Sequence, residues 1–154
     1  MSETIEKRLS DLGITLPVAA APAANYVPYV RTGNLLFPSG QLPIKDGKLA
    51  FTGLLGRDVD VAAGKEAAKY CAINVLAQVK AALGDLEKIR RLVRISVLVA
   101  SSPDFTEQHL VGNGASDLFA EVLGERGKHA RVAVGMASLP LNASVEVESI
   151  FEVE

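Results

Sequence analysis

Apolar residues recur along this chain with two periods, and the switches between them mark its elements. The last stretch is the clearest guide. From Val145 to Glu154 apolar and acidic residues alternate: Val145, Val147, Phe151 and Val153 fall on one face, and Glu146, Glu148, Glu152 and Glu154 on the other. A second strand-like run, Arg131 to Met136, precedes it. The turn Leu139-Pro140-Leu141-Asn142 between them is compatible with a hairpin. Pairing of the two runs would put a cation, Arg131, and a carboxylate, Glu146, on adjacent strands of one sheet.

The same reading carries back to the start. Ile5, Leu9 and Leu12 recur at helical spacing, so residues 2–13 form a short amphipathic helix that Gly13 stops. Leu16 to Pro28 is rich in Ala and Pro, and each proline holds its predecessor extended. Tyr29 to Phe37 holds two apolar runs around the turn Thr32-Gly33-Asn34. The Asp46-Gly47 step is a second hairpin signal, with Leu49 to Leu55 as the returning strand. After a cap at Asp58 or Asp60, an apolar stripe from Ala63 to Leu83 marks a long helix that ends at Gly84. Leu92 to Ala100 is a strand, with Val93, Ile95, Val97 and Val99 on one face. A second helix runs to Leu123, weakened locally by Gly112 and Gly114. The order β-β-α-β-α-β-β predicts an α+β domain over residues 1–154, a mixed sheet with two helices packed on one face.

Composition narrows the function classes. The chain has 154 residues, nearly half of them hydrophobic, with net charge −2. No basic patch invites nucleic acid, no Lys/Arg cluster suits a membrane surface, and no apolar run spans a bilayer. The single cysteine, Cys71, lies in the helical stripe and reads as a buried, inert thiol. One cysteine and an opening stretch without a signal-peptide pattern lead to the expectation of a cytoplasmic protein. His109 and His129, the two histidines, have no metal-ligand spacing and read as solvated. No phosphate-binding glycine motif and no serine-nucleophile elbow occurs, so neither a nucleotide cofactor nor serine hydrolase chemistry has support.

What remains is Arg131 and Glu146. Spacing alone favours a structural cross-strand ion pair. The functional alternative is that Arg131 grips a substrate carboxylate with its planar fork while Glu146 handles a water or a proton.

A set of short segments then meets a known pattern. Ala21-Pro22-Ala23-Ala24 is followed by Pro28-Tyr29-Val30 and Gly33-Asn34, then by Ser39-Gly40-Gln41-Leu42-Pro43. Asp104-Phe105 and Asn113 come next, before Ala130-Arg131, Leu139-Pro140 and Val145-Glu146-Val147-Glu148. In this order and spacing, over residues 20–154, the chain resembles the RidA/YjgF family of reactive intermediate deaminases, with residues 1–20 as an N-terminal extension. The resemblance implies a chorismate-mutase-like fold and a homotrimer with clefts between subunits. It also implies hydrolysis of small enamines and imines such as 2-aminoacrylate to 2-keto acids and ammonia, with no metal or organic cofactor. Carried across, Arg131 would hold the substrate carboxylate, and Glu146 would position water and move protons. Tyr29 would line the cleft, Ser39 and Gly40 would sit near the substrate, and Asn113 would form part of the wall. Ala133 stands where some deaminases carry a cysteine and would contribute only its backbone. Two other classes stay in view: a non-catalytic module that binds a small carboxylate in the same cleft, and a ribonuclease, against which the acidic balance speaks.

Overall fold

The fold is set by one long strand and the two helices that cover it. In the computed structural model, which describes residues 3–22 and 24–154, the elements follow one another as α1 (Ile5–Asp11), β1 (Tyr29–Thr32), β2 (Leu35–Pro38), β3 (Ile44–Lys45), β4 (Lys48–Leu49), α2 (Val61–Leu83), β5 (Ile89–Ala100), α3 (Gln108–Leu123), β6 (Ala130–Met136) and β7 (Val145–Val153). The main sheet has the strand order β1-β2-β7-β5-β6, and β3 and β4 form a separate two-stranded hairpin. Every neighbouring pair is antiparallel except β5 and β6. Ser2 and Ala23, which the sequence reading included in the first helix and in the Ala/Pro lead-in, lie outside the described residues.

The expected final hairpin does not form. β6 runs parallel to β5, and β7 lies on the other edge of β5, inserted between it and β2. Two forces decide this. α3 separates β5 from β6, and a strand-helix-strand unit packs back with its strands parallel. β5 is 12 residues long and buried through its second half, so both of its edges need partners. The connection from β6 to β7 therefore crosses the end of β5, where it is tied down. The Ala100 amide donates to the Ser144 carbonyl, and the buried Ser144 hydroxyl donates to the Gly53 carbonyl.

β5 also departs from simple alternation. Leu92 is buried and Val93 is on the surface, the reverse of the sequence expectation for Val93. Two irregularities in the register with β7, at Ile89/Arg91 and Leu92/Arg94, each insert one extra residue. The buried set becomes Ile89, Leu92, Ile95, Val97 and Val99. β7 keeps strict alternation: Val145, Val147, Phe151 and Val153 are all fully buried.

α2 is capped as its sequence suggests, with Asp60 accepting from the Ala63 amide and Gly84 left-handed at the end. Its middle, Cys71 to Val79, is buried on all sides rather than along one stripe. The sheet covers one side, and the chain around Ala20, Leu42 and Ile44 covers the other. Two buried amides fasten that second side: Asn74 donates to the carbonyls of Leu42 and Ile44, and Gln78 donates to the carbonyl of Ala20. The glycines of α3 serve close packing. A Cβ on Gly114 would strike the Lys65 backbone of α2, and one on Gly112 would meet Arg131 and Ala133 of β6. α1 is a third, short helix whose Ile5 and Leu9 are buried while Leu12 is exposed. The strand expected from Leu49 to Leu55 shrinks to β4 and two isolated bridges, at Thr52 and Leu55.

Candidate functional site

Arg131 stands near the start of β6, opposite Ile95 of β5. Ile95 is buried in the core beneath the helices, so Arg131 lies on the helix-covered face and runs against α3. One turn of α3 receives it. Arg131 Nη1 donates to Asn113 Oδ1 at 2.9 Å and to Ser116 Oγ at 3.2 Å, and Nη2 donates to the His109 carbonyl at 3.2 Å. All three acceptors are neutral. Among the described residues no carboxylate forms an ion pair with Arg131. Ala133, two residues on, shares this face and touches the space above Gly112.

The hydrogen bonds continue past the arginine. Ser116 Oγ is 2.9 Å from His129 Nε2, and His129 Nδ1 is 2.6 Å from the Gly127 carbonyl. His129 also meets the ring of Phe119 edge-on. It is half-buried and bonded at both ring nitrogens, not solvated as its sequence context suggested. Sequence reasoning missed Ser116 and His129, although two spacings point to them. Asn113 and Ser116 are three apart on a helix, and His129 and Arg131 are two apart along the chain as it enters β6, so each pair shares a face.

Glu146 belongs to a second group. It sits opposite Leu98 in the β5–β7 ladder, between the inward-facing Val145 and Val147, and so points to the face of the sheet that the helices leave open. Its carboxyl is raised above the ordinary 4.5, first because it is half-buried and second because Glu148 lies near with the same charge. Gly40 is pressed against it, and a Cβ there would overlap the Glu146 carboxylate. The close approach that Gly40 allows is therefore to a side chain of the same protein. Ser39 donates its hydroxyl to the Val27 carbonyl, and its amide donates to the Pro28 carbonyl. Tyr29 pairs with Pro38 and is half-buried against the core. Cys71 is fully buried with Sγ 3.6 Å from the Val145 carbonyl, and burial pushes its thiol far up, away from the reactive thiolate.

The seven residues singled out in the sequence thus divide in two. Arg131, Asn113 and Ala133 gather on the helix side at β6, while Glu146 and Gly40 meet on the open side at β7, with Ser39 and Tyr29 just before them in the chain. Arg131 and Glu146 are one strand apart and on opposite faces of the sheet. The cross-strand ion pair that spacing favoured is excluded, because β5 stands between the two strands.

The family described as "YjgF/chorismate mutase-like, putative endoribonuclease" matches residues 6–153. The chain belongs to the YjgF/RidA family. Among curated relatives, "Protein TCP17" of Trypanosoma cruzi is 52% identical over 98% of this chain and 95% of its own length. A 2-iminobutanoate/2-iminopropanoate deaminase of Dermatophagoides farinae is 28% identical over 92% of this chain and 95% of its own. Among solved structures, a protein of unknown function from Agrobacterium tumefaciens is 64% identical, with a TM-score of 0.92 over 97% of this chain and 92% of that one. RidA from a Psychrobacter species is 28% identical, with a TM-score of 0.63 over 88% of this chain and 94% of that one. The chain therefore shares the YjgF/RidA fold throughout. Its backbone follows the Agrobacterium protein more closely than it follows RidA.

Proposed function

We propose that this member of the YjgF/RidA family hydrolyses small 2-imino acids, the tautomers of enamines such as 2-aminoacrylate, to 2-keto acids and ammonia. The observation that carries the reading is Arg131. Its fork is fixed by three neutral oxygens, so its positive charge is uncompensated. Three of its five N–H donors are engaged, which leaves two for a carboxylate. The 2-iminobutanoate/2-iminopropanoate deaminase relative supports the substrate class.

In this reading the substrate carboxylate docks on Arg131, and the C=N carbon faces a water held by Glu146. The raised carboxyl of Glu146 suits a group that takes a proton from water and returns it to the departing nitrogen. Water adds to the imine carbon, the C–N bond of the resulting tetrahedral adduct breaks, and ammonia leaves with a 2-keto acid behind. The imine is already electrophilic, so orientation supplies most of what the protein must add.

One chain holds the two halves on opposite faces of its sheet. We read the complete site as shared: Arg131 of one subunit faces Glu146 of a neighbour in a homotrimer, placed in the cytoplasm. Val30, Phe37 and Val134 are exposed apolar residues on the sheet, the kind of surface a neighbouring subunit covers. Among the described residues no helix is long and apolar enough to cross a membrane.

The test is pyruvate release from 2-aminoacrylate generated in situ. The protein accelerates it, and Arg131→Ala loses at least about 30-fold in kcat/KM, the equivalent of about 2 kcal/mol for a bidentate charged contact. An unchanged rate in Arg131→Ala overturns the reading. Pyruvate binding that needs Arg131 but never leads to turnover would leave a carboxylate-binding module instead.

A further inference from the structure

The hydrogen bonds around Arg131 pass through Ser116 to His129, which the chemistry above does not use. Their direction follows from the end of the chain. A carbonyl only accepts, so the 2.6 Å contact to Gly127 O places a proton on His129 Nδ1. In a neutral ring Nε2 is then an acceptor, and the Ser116 hydroxyl donates to it at 2.9 Å. The lone pairs of Ser116 Oγ are left for Arg131 Nη1 at 3.2 Å. Each donor is thereby assigned: Arg131 to Ser116, Ser116 to His129, and His129 to the Gly127 carbonyl.

The far end of this relay is anchored in the core. Gly127 is buried in a 3₁₀ turn (Gly124–Gly127) pressed against the Phe119 carbonyl, with no room for a Cβ. Phe119 is fully buried and holds the His129 ring at a T-shaped angle, with centroids 6.4 Å apart. An exposed arginine ordinarily gives up rotamer freedom when it grips a ligand. Here that freedom is already lost, and it is lost to neutral oxygens that leave the charge intact. A carboxylate in the place of Ser116 would order the arginine equally well and neutralise it.

We propose that Ser116 and His129 are positioning residues for Arg131: they hold its guanidinium in one orientation, with two donors presented to a small 2-keto or 2-imino acid. The proposal deepens the reading of Arg131 as the carboxylate anchor and rests on it. Neither residue touches the substrate. His129 acts through Ser116, and Ser116 acts through the arginine.

The experiment uses the full chain and pyruvate as the probe, with calorimetric Kd, deaminase KM and kcat, and the ¹⁵N signals of the Arg131 guanidinium. Ser116→Ala and His129→Ala each weaken pyruvate binding and raise KM roughly 5- to 20-fold, a part of the roughly 10- to 150-fold carried by a hydrogen bond to a charged group because neither residue touches the ligand, with kcat within about twofold. Ser116→Thr keeps the hydroxyl and His129→Gln keeps an acceptor, so both recover most of the affinity. Rotation about the Arg131 Nε–Cζ bond is slow in the wild-type chain and becomes fast in Ser116→Ala, a change that a general loss of packing would not produce alone. Kd and KM unchanged in Ser116→Ala, or rotation equally slow there, overturns the positioning role. If Arg131→Ala abolishes pyruvate binding while the Ser116 and His129 variants bind normally, the anchor stands and only this proposal falls. If Arg131→Ala binds pyruvate as the wild type does, the anchor itself falls. Should His129→Ala fail to fold, Ser116→Ala decides, since it removes one oxygen from a half-buried helix position.

Discussion

Arg131 and Glu146 illustrate opposite ways of setting a charge. The partners of Arg131 are an amide, a hydroxyl and a backbone carbonyl, so no carboxylate offsets its charge. Glu146 is pushed toward its neutral form by burial and by Glu148. The second effect has a consequence for stability. The native chain holds the Glu146 proton more tightly than the unfolded chain does. As pH rises from the ordinary 4.5 through the raised native value, the unfolded state has released a proton that the native state retains, so stability falls across that window. Glu146→Gln removes this penalty. It melts at a higher temperature than wild type at pH above the raised native value, and the gap closes as pH falls well below the ordinary 4.5, where both states are protonated. A melting difference that stays constant with pH would show that the carboxyl does not titrate as described. Gly40 belongs at this scale too, because only a residue without Cβ leaves the Glu146 carboxylate its place.

At the scale of elements, β5 carries the most information. Its two bulges turn Leu92 inward and Val93 outward. Leu92→Ala therefore costs about 2–5 kcal/mol in chemical denaturation, as for a fully buried leucine, while Val93→Ala stays within about 1 kcal/mol. Equal costs at the two positions would mean that the register is not the one described. The bulges also decide which charges reach solvent, because Arg90, Arg91 and Arg94 all lie on the surface. α3 works in a similar way. Gly112 and Gly114 lower its intrinsic helicity, yet they let it lie close to α2 and β6. That approach brings Asn113 and Ser116 within reach of Arg131. The residues that weaken the helix in isolation position the site in the fold.

At the scale of the whole molecule, the placement of Arg131 and Glu146 on opposite faces makes a prediction about assembly. If each site joins Arg131 of one subunit to Glu146 of the next, two inactive variants complement each other. Arg131→Ala and Glu146→Gln, mixed and reassembled in equal amounts, recover about a quarter of wild-type activity, because about one interface in four then pairs an intact arginine with an intact glutamate in a cyclic assembly. Mixed oligomers that remain as inactive as either parent would place both functional groups within one chain's reach, and the shared-site reading would be lost. Sedimentation of the wild-type protein as a trimer is the companion measurement.

How much of this could be read from the chain depends on the range of the forces involved. Local order was legible. The Asp60 cap, the Gly84 stop, the Asp46-Gly47 hairpin and the alternation of Val145, Val147, Phe151 and Val153 each follow from a few neighbouring residues. Arg131 and Glu146 could be singled out from the strand pattern, and Asn113 through the family resemblance, without their arrangement. The tertiary structure decided what depends on partners distant in sequence. It set β6 and β7 on the two edges of β5 instead of against each other, since α3 must pack back on the sheet and β5 needs both edges paired. It turned Arg131 and Glu146 to opposite faces, and it joined Ser116 to His129 behind the arginine. Side-chain alternation is a local property that sequence carries by itself; which strand lies beside which is settled only when the core is buried.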